Sequence, residues 1–168
     1  PEKVTRAAVV VFASDRGLAG AFNSQVLREA LELTALLNEQ GKEVVHYAVG
    51  RRAVTYFAFR RRELQAEWTG DTDTPQFKTA EEISSTLLEA FLRPEDQGGV
   101  DEIHLVFNRF VSMMTQVPDT LRLLPLEVVE ADVNESANTP VYPLYEFEPD
   151  AESVLDALLP VYIPRRVF

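Results

Sequence analysis

The sequence predicts an α/β domain, on three observations. The run Ala7 to Ala13 is continuously apolar and rich in β-branched valine, which suits a strand buried on both faces of a sheet, as a central parallel strand is. Behind it Val26, Ala30, Leu33 and Leu37 recur at steps of three and four, the mark of one apolar helix face. Glu43 to Val49 then returns to strand character, and this strand–helix–strand order implies a right-handed crossover that sets the second strand beside the first. At 168 residues the chain supports one core, burying roughly 70% of its unfolded surface. That core is expected to span residues 1–160 as a single domain.

The corner between the first strand and the first helix is the stretch to which the other elements are referred. Ser14 and Asp15 can hydrogen-bond nearby backbone groups, while Gly17 and Gly20 allow positive φ or close backbone approach. With Arg16 they are read as a structural turn, Asp15 bracing the loop. A turn at the carboxyl end of a central strand is also where open α/β sheets hold phosphates. The alternative function is therefore a small phosphate- or nucleotide-binding enzyme using Ser14 to Gly20. The glycine spacing matches neither dinucleotide nor P-loop fingerprints, and no lysine stands in the loop.

The remaining elements follow in order. Asn23 is expected to cap the first helix and Gly41 to end it. Gly50 closes the second strand, and a short helix over Arg51 to Phe59 is expected to turn Val54, Phe57 and Ala58 inward. Glu63 to Trp68 predicts a third, shorter strand, and Asp71 to Pro75 is turn-rich. Thr79-Ala80-Glu81-Glu82 reads as a capping box opening a helix over Ala80 to Leu92. Pro94, Gly98 and Gly99 end that helix, and Glu102 to Asn108 supplies another buried strand. Residues 110–124 continue as an edge strand, the place where Pro118 is best tolerated. Val129 to Thr139 is an acidic loop. Tyr145 and Phe147 then alternate with Glu146 and Glu148 as a half-exposed strand does, and Asp150 caps a helix from Ala151 to Leu159. The ends are abrupt on both sides, which suggests a domain cut from a longer chain.

Composition narrows function. With 16 basic and 27 acidic residues, the net charge of −11 disfavours nucleic acid and anionic lipid surfaces, whose phosphates need neutralising. The chain has no cysteine and two histidines, so thiolate zinc sites, iron–sulfur clusters and disulfides are excluded and no metal site or cofactor is expected. His46 and His104 stand in strands without a ligand set and are read as structural or solvent-facing. No apolar run approaches the roughly 20 residues that span a bilayer, so no direct lipid insertion is expected. Ser14 lacks a nucleophile-elbow setting, and no catalytic residue is assigned. The one concentrated basic patch is Arg51, Arg52, Arg60, Arg61 and Arg62, either a solvated helix end or a docking surface for an acidic partner.

S-D-R-G-L-A-G-A-F-N, from Ser14 to Asn23, resembles the signature turn of the γ subunit of F-type ATP synthases, with Ala19 and Ala21 where that family usually has cysteine and glycine. Similarity continues at Phe110 to Pro118, Leu123 to Pro125 and Tyr145 to Leu159, so the resemblance spans nearly the whole chain. It implies a Rossmann-like three-layer α/β/α domain with a mixed, mainly parallel five-stranded sheet. It also implies that residues 161–168 begin a truncated C-terminal coiled-coil helix, although Pro160 and Pro164 suit helix geometry poorly. The implied function is that of the non-catalytic central stalk, which couples membrane-ring rotation to ATP synthesis. Its partners would be the ε subunit, the c-ring and, through the coiled coil, the catalytic α and β subunits, at the cytoplasmic face of a bacterial plasma membrane. The residues resembling the ring-facing foot are Tyr145, Glu146, Phe147, Glu148 and Asp150, with Arg51 and Arg52 as further interface candidates. A free-standing regulatory binding module is the third possibility.

Overall fold

The computed structural model describes residues 5–15, 20–72, 74–112, 115–126 and 150–163. Their centre is β1 (Arg6–Phe12), in which Ala7 to Val11 are wholly buried. A strand with no exposed position must be covered on both faces, and the covering follows from the pleat. Ala7, Val9 and Val11 point to one side, against Val26, Leu27 and Ala30 of α1 (Gly20–Glu39) and Ala53 and Phe57 of α2 (Arg51–Phe59). Ala8, Val10 and Phe12 point to the other, against Ile83 and Leu87 of α3 (Phe77–Leu92) and Val154 and Leu158 of α4 (Ala151–Tyr162). The domain is therefore three layers deep, with two cores separated by one sheet.

Besides β1, the sheet contains β2 (Glu43–Val49), β3 (Ala66–Trp68), β4 (Glu102–Ser112) and β5 (Thr115–Leu124), in the order β3-β2-β1-β4-β5. β1 is parallel to β2 and β4, and β2 to β3, while β5 runs antiparallel along β4. The sheet is thus mixed and mainly parallel. β1, β2 and β3 are parallel, so their carboxyl ends gather at one edge.

Several boundaries differ from the sequence expectation. α1 starts at Gly20, so Asn23 lies in its first turn rather than capping it. In α2 the buried positions are Ala53 and Phe57, one turn apart on one stripe, while Val54 is half-buried and Ala58, about 100° round the helix from Phe57, is exposed. β3 is only Ala66–Trp68, because just three residues pair with β2. α3 begins at Phe77 with Gln76 before it, and no side chain caps that end. Thr79 is not the cap because it already lies inside the helix, three residues past Gln76; its hydroxyl donates to an Asp71 carboxylate oxygen. β4 runs past Asn108 to Ser112, sustained by its ladder with β5, in which Pro118 lies opposite Asn108 on the outer strand. α4 passes through Pro160 to Tyr162; a proline this near the end interrupts only one backbone bond of an already terminating helix. Residues 127–149, including the expected acidic loop and the Tyr145 to Glu148 strand, lie outside the described residues, as do Pro164 and the rest of the expected coiled-coil start.

Candidate functional site

At the carboxyl edge of the sheet, one carboxylate joins three loops. Asp15 follows β1, and its Oδ1 accepts from the backbone amides of Arg51 at 2.8 Å and Gly70 at 3.0 Å. Its Oδ2 accepts from the Thr72 amide at 2.9 Å and the Thr72 hydroxyl at 2.6 Å. The Asp15 amide in turn donates to Thr72 Oγ1 at 2.8 Å. The loops after β1, β2 and β3 are therefore tied through a single side chain. Burial raises the pKa of this carboxyl, but the bonds from Thr72, Gly70 and Arg51 outweigh it and hold the group below the usual aspartate range.

Gly50 makes the approach of these loops possible. Its φ is +99°, and a Cβ placed there would lie 1.8 Å from the Ala13 carbonyl oxygen, so no other residue fits. Beside it the Arg52 amide donates to the Ser14 carbonyl at 3.0 Å, fixing the start of α2 against the end of β1. The side chains of Arg51 and Arg52 are both exposed.

The opposite edge has a second aspartate anchor. Asp101 Oδ2 accepts from the Thr5 amide at 2.9 Å, the Arg6 amide at 3.1 Å and the Thr5 hydroxyl at 3.0 Å. Nearby, the buried Glu102 Oε1 meets Lys42 Nζ at 3.0 Å and His104 Nε2 at 3.1 Å. Burial pushes the Glu102 pKa up, and the closeness of His104 and the hydrogen bond from Lys42 more than reverse it. Sequence reasoning missed this cluster, although Glu102 and His104 stand two apart on one strand and so face the same side. His46 is buried with Nε2 3.0 Å from Thr34 Oγ1, and burial, followed by the charge of Arg62, lowers its pKa to about 4. It is held neutral within the core.

Of the residues singled out from sequence, Asp15, Ser14, Arg51 and Arg52 meet at one corner, and Gly20 opens α1. Arg16 and Gly17 lie outside the described residues, as do Tyr145, Glu146, Phe147 and Glu148. Asp150 is exposed, and its Oδ1 accepts from the Ser153 amide at 2.7 Å, the N-cap of α4. Among the described residues no group of acidic or histidine side chains could hold a metal ion, and no helix is long and apolar enough to cross a membrane.

The whole chain, residues 1–168, matches the family model described as ATP synthase. It is 60% identical over 168 residues to the ATP synthase gamma chain of Leifsonia xyli and 61% identical to that of Clavibacter sepedonicus, covering all of this chain and 56% of each relative. The chain thus spans about half the length of the curated relatives it matches. Its fold is similar to a chain of the Tetrahymena thermophila mitochondrial ATP synthase central stalk and c-ring structure, with a TM-score of 0.60 at 24% identity, covering 95% of this chain and 71% of that one. It is also similar to a chain of the Euglena gracilis mitochondrial ATP synthase rotor, with a TM-score of 0.62 at 14% identity, covering 96% and 61%. Sequence and fold agree, and the chain belongs to the ATP synthase γ-chain family.

Proposed function

We propose that this chain is the globular part of a central stalk, a rotor piece with no active site of its own that couples rotation of a membrane ring to ATP synthesis. The observation that carries the reading is the 60% identity to an ATP synthase gamma chain along the entire chain. The corner geometry supports it. The amides of Arg51, Gly70 and Thr72, which an anion-binding loop would offer to a phosphate, are spent on the Asp15 carboxylate. What the corner does is fasten loops together, as a part that transmits torque requires.

In this reading the contacts with ε and the c-ring lie at Tyr145, Glu146, Phe147, Glu148 and Asp150, with Arg51 and Arg52 as further interface residues. The coiled coil found in the longer family members carries the contact to the α and β subunits. The complex sits at the cytoplasmic face of a bacterial plasma membrane, without insertion of this chain into lipid.

The test uses the absence of cysteine from this sequence. Single cysteines at Tyr145 and Phe147, in the full-length chain assembled into the enzyme, are expected to crosslink to ring loops or to ε and to stop coupled rotation. Crosslinking to the catalytic ring alone, or unchanged coupling when both residues become alanine, would remove the foot assignment.

A further inference from the structure

Between α1 and α2 runs a groove of about 650 Å³ on the outer side of the domain. Its apolar surface includes Leu31 of α1 and Tyr56 and Phe59 of α2, and Arg28, Arg52 and Arg60 stand around it. Phe59 is 88% exposed, although a phenyl ring is a large apolar group to leave in water. Arg60 lies over the Tyr56 ring, 4.5 Å from its centroid, which holds the guanidinium at the groove.

The cations here differ from several others on the chain. Arg6, Lys42, Arg93 and Arg109 each meet a carboxylate within 3.1 Å. Among the described residues, Arg28, Arg52 and Arg60 have no carboxylate within 4.0 Å. A chain of net charge −11 has thus gathered unneutralised arginines around an apolar opening. Guanidinium groups recognise carboxylates bidentately, and an aromatic centre within a charged rim is the usual anatomy of a docking surface.

We infer that this groove docks an acidic amphipathic segment of another subunit. Apolar side chains of that segment pack on Phe59, Tyr56 and Leu31, and its carboxylates pair with Arg28, Arg52 and Arg60. The rim pairs set on-rate and salt dependence, and the aromatic centre supplies most of the affinity. The inference rests on Arg52 being an interface residue and is independent of the foot at residues 145–150.

The test replaces Phe59 with the photo-crosslinking residue p-benzoylphenylalanine in the full-length chain, purifies the assembled ATP synthase, irradiates it and identifies the attached peptide by mass spectrometry. Phe59 is exposed, so the replacement leaves packing intact. The expected product joins Phe59's position to a net-negative segment of a different subunit. Its yield should fall roughly tenfold when Arg28→Glu and Arg60→Glu are added, and fall with rising salt, as rim charges require. Attachment to a neutral or basic segment, to this chain, to a second copy of it or to lipid would overturn the inference. So would the absence of any product, or a yield indifferent to the charge reversals. An empty groove together with cysteines at 145 and 147 that still reach the ring would sink this inference and leave the central-stalk reading standing.

Discussion

Asp15 and Thr72, 57 positions apart in sequence, hold each other reciprocally: the Thr72 hydroxyl donates to the Asp15 carboxylate at 2.6 Å and accepts from the Asp15 amide at 2.8 Å. Replacing one partner leaves polar groups of the other unmet at a partly buried position. Asp15→Asn and Thr72→Val are each expected to destabilise the chain by about 1–3 kcal/mol in urea unfolding. The double variant should cost clearly less than the sum, because both changes break one network. Full additivity would mean that the two residues act separately.

Asp15 also gives stability a pH dependence. Its folded pKa lies below its unfolded value, so the unfolded chain binds more protons as pH falls through the usual aspartate range. Its contribution is complete above the unfolded pKa and lost as pH drops through the folded one. Asp15→Asn should therefore flatten the acid limb of a stability–pH curve while lowering the neutral plateau. An unchanged acid limb would assign it to other carboxylates.

Glycine positions provide a geometric test. Gly50→Ala combines positive φ with a Cβ 1.8 Å from the Ala13 carbonyl oxygen and is expected to cost roughly 2–6 kcal/mol. Gly41 has a φ of +84° and nothing within 4 Å of a built Cβ, so Gly41→Ala should cost only about 1–2 kcal/mol. Equal effects by denaturant titration would show that backbone conformation alone matters at Gly50.

The Lys42–Glu102–His104 cluster predicts a second acid-sensitive term. Lys42→Met removes the hydrogen bond that, with His104 close by, keeps buried Glu102 ionised, and should cost about 1.5–3 kcal/mol at neutral pH. The depressed Glu102 pKa places its stabilisation above the unfolded glutamate pKa and its loss below, so the penalty should shrink once pH passes through the folded value. A penalty constant across that window would show that Lys42 contributes through packing of its stem.

His46 should titrate near pH 4 by NMR, as its burial beside Phe57 implies, with ring centroids 4.9 Å apart. A histidine pKa lowered on folding means that stability declines as pH falls below the unfolded value of about 6.5. A His46 titrating near its unfolded value would contradict the packing described.

Much of this architecture was legible because local and tertiary preferences coincide. β2 and α2 occur over the expected Glu43–Val49 and Arg51–Phe59, since Gly50 separates them with a backbone conformation that neither element can continue. The buried valines of β1 needed no partner to be recognised. Thr72 was invisible as Asp15's partner because turns carry no periodicity, and the contact depends on three loops converging. The same reason hid the groove: nothing in Arg51 to Phe59 reveals that Phe59 faces outward beside Arg28, 31 positions earlier. Thr79 shows the converse, a strong capping signal that fails because the helix already begins two residues earlier, at Phe77.

The most direct measurement of the central-stalk reading follows a probe on a single cysteine at Glu81, exposed on α3, in the full-length chain assembled into ATP synthase. During ATP hydrolysis the probe is expected to turn in step with the membrane ring, and tethering it to a stationary subunit is expected to stop turnover. A probe that stays fixed while the ring rotates, or hydrolysis that proceeds undisturbed with the tether in place, would contradict the assignment of this domain to the rotor.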